Sequence, residues 1–122
     1  MARILIVEDN DLNLELATQL LEDKHVVLSA RDGEQGVVAA LAERPDLILM
    51  DISLPRLDGF GAVAKIRADE NVKRTPVIAL TAHAIRGDRE RMLAAGFDGY
   101  VSKPIDEELL FATIEELLGR PA

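Results

Sequence analysis

The feature that most constrains the fold of this chain is an alternation between short apolar runs and segments with helical spacing. The five apolar runs lie at residues 4–7, 26–28, 47–50, 77–80 and 100–101. The first, third and fourth runs are continuous and rich in branched residues, as in strands that are buried on both faces of a parallel sheet. We therefore predict five short strands, of which the last is the shortest.

Residues with helical spacing follow each of these runs. The five predicted helices are marked by Leu12, Leu16 and Leu20, by Val37, Val38 and Leu41, by Val63 and Ile66, by Ile85, Met92 and Leu93, and by Leu110, Ile114, Leu117 and Leu118. Pro45 and Gly96 are predicted to end the second and fourth helices, and Asp106 and Gly119 to bound the fifth. This β–α alternation predicts an α/β fold with parallel strands, right-handed crossovers and helices on both faces of the sheet.

The length and charge of the chain limit the classes of function. Its 122 residues suit one domain, so we predict a single domain over residues 1–122. The 22 acidic residues outnumber the 14 Lys and Arg, and the net charge of −8 argues against binding to nucleic acid or to an anionic membrane. The chain has no Cys, and its first apolar run is too short for a signal peptide or a membrane span. We therefore expect a cytoplasmic protein.

Polar side chains stand at the carboxyl ends of four predicted strands. Glu8 and Asp9 follow the first strand, Asp51 the third, Thr81 the fourth and Lys103 the fifth. In an open α/β sheet, ligands bind outside the carboxyl ends of the strands, near the point where the strand order reverses. We therefore expect these five side chains to lie at one edge of the sheet and to form a common site.

A hard divalent cation and a phosphoryl group are the ligands that this set of residues fits. Carboxylates brought together repel one another, so at least one would hold a proton unless a cation relieved the repulsion. Oxygen ligands without His or Cys favour Mg²⁺. Lys103 offers a positive charge and Thr81 a hydroxyl donor to the phosphoryl oxygens. Asp51 is the best-placed nucleophile, since an Asp carboxylate can form an acyl phosphate.

Each of these residues, taken alone, also has an ordinary structural interpretation. Glu8, Asp9 and Asn10 suit the N-terminal cap of the first helix. The residues at the other strand ends singly suit a helix cap or a solvated surface position. Their expected position at one edge is what favours a functional site. His83, two residues after Thr81, is a weaker candidate, because a single His seldom defines a metal ligand or a general base.

Five segments of the chain together resemble the receiver domain of bacterial two-component response regulators. They are ILIVEDN (4–10), DLILMD (46–51), LPRLDG (54–59), PVIALTA (76–82) and YVSKPI (100–105). Each motif is modest alone, but their order along nearly the whole chain makes the set specific. Residues 81–88 are similar to receivers of hybrid sensor kinases and of stand-alone regulators of the DivK type. The resemblance implies a five-stranded, doubly wound parallel sheet of order 2-1-3-4-5 with five helices.

The resemblance implies a role for each acidic position. Asp51 resembles the phosphoacceptor. Asp9 resembles the direct Mg²⁺ ligand, with Glu8 acting through water, and the backbone carbonyl of Ser53 resembles the third protein ligand. The pair Glu8-Asp9 departs from the commoner Asp-Asp pair of the family, but the longer Glu8 still supplies an oxygen.

The resemblance also implies how a signal is read. Thr81 and Lys103 resemble the pair that contacts the phosphoryl group, and Tyr100 the aromatic that changes rotamer when Thr81 moves. The bond between Lys103 and Pro104 is expected to be cis, as is usual in the family. We expect the output surface to be formed by the fourth helix (85–95), the fifth strand and the fifth helix (106–118). Its charged residues include Arg86, Arg89, Arg91, Glu107, Glu108, Glu115 and Glu116.

The function implied by the resemblance is a phosphorylation-controlled binding switch. A histidine kinase or a histidine phosphotransfer protein donates the phosphoryl group to Asp51, and a downstream protein binds the altered face. The chain ends just after the fifth predicted helix, so we expect no output domain. We expect a monomer, with a weak dimer as the alternative, and no turnover enzyme.

Three other functions stand as alternatives. A haloacid-dehalogenase-type phosphatase also uses a nucleophilic Asp with Thr, Lys and Mg²⁺, but it carries a second Asp two residues on, where this chain has Ser53. A receiver that binds partners without phosphorylation would not need the complete set of site residues. A flavodoxin-like cofactor protein would need a phosphate-binding glycine loop and more aromatic residues than the 3% present.

Overall fold

The computed structural model describes residues 2–82 and 88–119, and within them five strands alternate with five helices. The elements are β1 (Arg3–Val7), α1 (Asp11–Leu21), β2 (Val26–Ala30), α2 (Gly33–Glu43), β3 (Leu47–Asp51), α3 (Gly59–Arg67), β4 (Val77–Thr81), α4 (Asp88–Ala95), β5 (Gly99–Ser102) and α5 (Glu107–Leu118). The predicted strands are confirmed, and each is one or two residues longer than its apolar run. The five helices are confirmed too, although residues 85–87 of the predicted fourth helix lie outside the described residues.

The five strands form one sheet in which every hydrogen-bonded pair is parallel. Their order is β2-β1-β3-β4-β5, as the receiver resemblance implied. Because β2 lies on one side of β1 and β3 on the other, the crossover direction reverses between these strands and opens a crevice at their carboxyl ends. Pairing of Val7 with Met50 brings the residues that follow β1 beside the end of β3.

The strands direct alternate side chains into two apolar cores, one on each face of the sheet. In β1, Leu5 and Val7 pack into the core covered by α2, α3 and α4, whereas Ile4 and Ile6 pack into the core covered by α1 and α5. Strands buried on both faces are continuous apolar runs, which explains why their positions are visible in the sequence. Of the helices in the described parts of the chain, none has the length and apolar character needed to cross a bilayer.

Short polar side chains start four of the helices. The caps are Asn10 for α1, Asp32 for α2, Asp58 for α3 and Asp106 for α5, and each accepts a hydrogen bond from the backbone N–H three residues further on. Such caps satisfy backbone donors that the first helical turn leaves without a partner. The predicted ends are also confirmed: Gly96 follows α4 at φ +113°, Gly119 caps α5, and α2 ends before Pro45, with Arg44 in the left-handed region.

The leucine spacing predicted α1 but not its buried face. Leu12 and Leu16 are 73% and 43% exposed, whereas Ala17 and Leu21 are fully buried against the sheet. In α2, Val38 is likewise exposed, and the buried positions are small residues. Small residues allow a helix backbone to approach the sheet closely, so large exposed apolar residues such as Leu12 and Val38 do not mark the inward face of these helices.

Close backbone contacts fix the loops at the carboxyl edge of the sheet. A Cβ atom on Gly33 would lie 1.7 Å from the carbonyl oxygen of Leu57, so the start of α2 touches the loop between β3 and α3. A Cβ on Gly59 would lie 2.7 Å from the carbonyl oxygen of Asp51. Both positions require glycine for the approach, and both hold the backbone that follows β3.

Candidate functional site

Three carboxylates meet at the carboxyl edge of the sheet. Glu8, Asp9 and Asp51 each offer an oxygen, and these atoms lie within 4.8 Å of one another. Glu8 and Asp51 are buried, with 1% and 4% of their surface exposed, whereas Asp9 is exposed. The neighbouring ends of β1 and β3 therefore bring together the acidic residues that the sequence predicted to meet, from positions more than forty residues apart.

Lys103 completes the cluster from the loop that follows β5. Its Nζ donates to Glu8 Oε1 at 2.8 Å and to Asp51 Oδ2 at 2.9 Å. Its backbone N–H donates to the carbonyl oxygen of Thr81 at 2.7 Å, which attaches the loop to the end of β4. The bond from Lys103 to Pro104 is cis, as the resemblance implied. One ammonium group thus bridges two buried carboxylates.

The second oxygen of Asp51 is also occupied. Oδ1 accepts a hydrogen bond from the backbone N–H of Ser53 at 2.9 Å. Ser53 itself is exposed and lies against the carboxylate, at the start of the loop that Gly59 holds in place. This contact fixes the rotation of the Asp51 carboxylate and keeps Ser53 beside the acidic cluster, while the role of its carbonyl as a metal ligand stays a prediction.

Burial and mutual proximity separate the pKa values of the two buried acids. Burial raises the pKa of Glu8 to about 7, and Asp51 adds to the rise while Lys103 opposes it. Burial also tends to raise the pKa of Asp51, but hydrogen bonds with Glu8, Ser53 and Lys103 outweigh it, so the net pKa lies below the usual value. These shifts favour the protonated form of Glu8 and the ionised form of Asp51.

Thr81 and Tyr100 lie at neighbouring positions on the edge of the site. Asp51 pairs with Leu80, so Thr81 lies one residue beyond this pair, and it is buried. Tyr100 is half-buried and pairs with Ala79 across β4 and β5. Because Ala79 and Thr81 share one face of their strand, Tyr100 is a diagonal neighbour of Thr81.

The alternative assignments for this region can now be separated. Asn10, not Glu8 or Asp9, is the cap of α1, and its Oδ1 accepts the N–H of Asn13 at 3.0 Å. Glu8 and Asp9 therefore do not cap α1, and both contribute to the acidic cluster. His83, like Arg86 of the predicted output face, lies outside the described residues.

Sequence reasoning missed one residue that touches the acidic loop. Arg31, directly after β2, donates to the carbonyl oxygen of Asp9 at 3.3 Å and pairs with the carboxylate of Asp11. These partners are 22 and 20 residues away along the chain, so no local motif indicates the contact.

Comparison with known proteins identifies the family. The family model described as "Response regulator receiver domain" matches residues 4–115. The chain belongs to the response regulator receiver family. It is therefore a receiver domain of two-component signalling, and its five-stranded fold is the CheY-like fold.

Other receiver proteins are similar over nearly the full chain. The "Polar-differentiation response regulator DivK" of Brucella anthropi is 40% identical over 117 residues, which cover 95% of each chain. The receiver domain of the sensor histidine kinase PA1611 from Pseudomonas aeruginosa has a TM-score of 0.90 and 42% identity over 98% of each chain. The chemotaxis protein CheY4 of Vibrio cholerae has a TM-score of 0.88 and 29% identity, over 96% of this chain and 98% of its own.

The donor set of this receiver fits a hard divalent cation. Its acidic cluster presents carboxylate oxygens only, and two of the three acids are buried with a single ammonium between them. Burial, with a smaller contribution from Asp51, raises the pKa of Glu8, and a cation bound there would favour its ionised form. The PA1611 receiver is described with a magnesium ion coordinated in its active-site cleft.

Proposed function

We propose that this receiver domain is a phosphorylation-controlled switch in which Asp51 accepts a phosphoryl group. The donor is a histidine kinase or a histidine phosphotransfer protein. The observation that carries the proposal is the contact of 2.9 Å between Lys103 Nζ and Asp51 Oδ2. It joins an ionised carboxylate to a cation that suits phosphoryl oxygens, at the edge of the sheet where ligands bind.

In the transfer, a carboxylate oxygen of Asp51 attacks the phosphorus atom of a phosphohistidine. A P–O bond forms and the P–N bond breaks, and the electron pair of the broken bond stays on the imidazole nitrogen, which takes up one proton from water. The low pKa of Asp51 keeps the attacking carboxylate ionised. Lys103 and the hydroxyl of Thr81 contact the phosphoryl oxygens once they arrive.

Glu8, Asp9 and Asp51, with the backbone carbonyl of Ser53, are the groups that we propose to hold Mg²⁺. Bound there, the ion supplies positive charge against the carboxylates and the phosphoryl oxygens. Support comes from the oxygen-only donor set and from the buried pair of acids that share one lysine. Glu8 acts through water, as its place in the family pattern implies.

We propose that a downstream protein binds the face formed by α4, β5 and α5. An open groove of about 420 Å³ lies there, and its lining includes Leu93, Tyr100 and Leu109. Leu93 and Leu109 are 46% and 49% exposed, so the groove offers apolar contact area to a partner. Arg89 and Glu116 add opposite charges to the lining, so binding should depend on salt concentration.

We also propose that the protein turns over no external substrate, that it acts as a monomer and that it is located in the cytoplasm. Ser53 occupies the position at which a haloacid-dehalogenase-type phosphatase has its acidic second residue. The protein then releases only the phosphoryl group that Asp51 itself carries, and it hydrolyses no external phosphate ester. Slow, single-turnover loss of that group is the expected chemistry.

Intact-mass spectrometry with phosphoramidate and Mg²⁺ tests the assignment. The wild type should gain one phosphate and Asp51→Asn none. Asp23→Asn, at an exposed turn after α1, is the matched control and should behave as the wild type does. Lys103→Ala should retain Mg²⁺ binding but lose most of the phosphorylation-dependent change. Equal labelling of Asp51→Asn would contradict the proposal, and multiple-turnover hydrolysis of p-nitrophenyl phosphate would favour the phosphatase instead.

A further inference from the structure

We infer that Arg31 is a positioning residue of the magnesium site: its guanidinium holds the loop between β1 and α1 so that Asp9 faces the other ligands. The inference rests on the proposed function, because it assumes that Asp9 binds the ion. It starts from a difference in how the three acids are held. Lys103 bonds Glu8 and Asp51, and the N–H of Ser53 also bonds Asp51.

Asp9 has no comparable support for its carboxylate among residues 2–82 and 88–119. Its backbone N–H donates to Glu8 Oε2 at 3.1 Å, and its carbonyl oxygen accepts from Arg31 at 3.3 Å. The side chain is exposed. The direction of the Asp9 carboxylate therefore depends on where the loop backbone lies, and Arg31 contacts that backbone from outside the loop.

Hydrogen bonds hold the backbone on both sides of Arg31. It follows Ala30, whose carbonyl accepts the N–H of Glu8 at 3.0 Å, so β2 and the start of the acidic loop are in register. The next residue, Asp32, is buried and caps α2, with Oδ1 accepting the N–H of Gln35 at 2.7 Å. Arg31 lies between these two residues, Ala30 and Asp32, and its side chain contacts the acidic loop.

The guanidinium joins two points of the acidic loop at once. The same nitrogen that donates to the Asp9 carbonyl also pairs with the carboxylate of Asp11, in the first turn of α1. The residues on either side of Asn10 are thus tied to the end of β2. Groups that orient a metal ligand without touching the ion commonly change metal affinity by about tenfold or more.

Two physical effects of removing Arg31 have opposite signs, which makes the inference testable. Loss of a positive charge near the site would strengthen Mg²⁺ binding. Loss of the loop contact would weaken it, because Asp9 must then be ordered when the ion binds. The side chains of Arg31 and Asp11 are 49% and 84% exposed, so their charge effect is screened, and we expect positioning to dominate.

The experiment compares Arg31→Gln with Arg3→Gln. Arg3 is the matched control, since it also pairs with an exposed acid, Glu43, and donates to a backbone carbonyl, at the opposite end of β1. Both variants lose one positive charge. Mg²⁺ affinity is measured by calorimetric titration, well below the melting temperature, and melting is followed in EDTA.

We expect Arg31→Gln to bind Mg²⁺ about fivefold to tenfold more weakly than the wild type, and Arg3→Gln to differ less than about twofold. The loss should persist from about 0.1 M to about 1 M NaCl, where the Debye length falls from about 10 Å to about 3 Å. In EDTA the two variants should melt within a few degrees of each other, because exposed ion pairs contribute little to stability.

Equal or tighter Mg²⁺ binding in Arg31→Gln overturns the positioning role and leaves the proposed function intact if the wild type binds Mg²⁺ and is phosphorylated. A loss that disappears at high salt also overturns it, since that loss would be a charge effect. Failure of the wild type to bind Mg²⁺ overturns both the inference and the proposed metal site.

Discussion

Replacing Glu8 by Gln should remove a pH dependence that the acidic cluster imposes on the protein in EDTA. The pKa of Glu8 rises from 4.5 to about 7 in the folded protein, mainly because the carboxyl is buried. Between these values the folded state binds more protons than the unfolded state, so stability is lost as the pH increases. The lowered pKa of Asp51 acts in the opposite direction, but below its ordinary value of 3.8 and thus outside this window.

The size of the effect follows from the shift. A rise from 4.5 to about 7 corresponds to roughly 3 kcal/mol at 1.36 kcal/mol for each pH unit. A Gln at position 8 does not titrate, and its amide retains a donor for Asp51 and an acceptor for Lys103, as protonated Glu8 does. We therefore expect Glu8→Gln to match the wild type within about 1 kcal/mol at pH 5 and to exceed it by about 2–3 kcal/mol at pH 8.

Urea unfolding followed by circular dichroism, from pH 5 to pH 8 in EDTA, measures this difference. Glu43→Gln is the control, because Glu43 is half exposed and pairs with Arg3 away from the cluster. The control should follow the wild type at each pH, apart from a constant offset. If Glu8→Gln instead keeps the pH slope of the wild type, the excess proton does not reside on Glu8 and the electrostatic account of the site is wrong.

Three further predictions concern the ion, the packing and the output face. Millimolar Mg²⁺ should raise the melting temperature of the wild type by ligand linkage but not that of Asp9→Ala, and an equal rise in both would place the ion elsewhere. Gly33→Ala should lower the free energy of unfolding by about 2–3 kcal/mol, because its Cβ would lie 1.7 Å from the Leu57 carbonyl oxygen. Gly99→Ala, whose nearest neighbour is a methyl group at 3.3 Å, should cost less in the same assay, and equal costs would contradict the close contact. Phosphorylation should shift amide NMR signals of Tyr100 and α4, and shifts confined to the neighbourhood of the phosphoacceptor would exclude this face as the output.

The sequence predicted the order of elements and the meeting of the acids because both follow from local patterns and one topological rule. A run such as residues 47–50 is apolar on both faces, so it is recognisable without knowledge of its neighbours. Once the strands are parallel, their carboxyl ends share an edge, and the cluster of Glu8, Asp9 and Asp51 follows. Neither step depends on a particular side-chain contact.

The features that the sequence did not predict depend on contacts between distant segments. Leu12 and Leu16 are spaced as a buried helix face would be, yet both are exposed and Ala17 and Leu21 are buried instead. The position of Arg31 beside Asp9 likewise arises only when β2 pairs with β1. The spacing of apolar residues identifies a helix, but the surface against which the helix packs determines which of its faces is buried.

The balance of charge differs between the two ends of the sheet. At the amino end of β5, Asp98 has a guanidinium of its own: Arg67 donates to its carboxylate at 2.7 Å and to the carbonyl of Gly96 at 2.8 Å and 2.9 Å. At the carboxyl end, Glu8 and Asp51 are more deeply buried but share one lysine.

A cluster with more buried negative than positive charge is costly to fold, and a paired acid such as Asp98 avoids that cost. Under the proposed function, the uneven cluster is retained because an added cation or phosphoryl group changes the balance. Burial and the nearby Asp51 raise the pKa of Glu8, which lowers the net negative charge of the cluster. A stable fold favours an acid that has its own cation, as Asp98 does, whereas a site that responds to ligands favours buried acids that share one, as Glu8 and Asp51 do. The two arrangements lie at opposite ends of the strands.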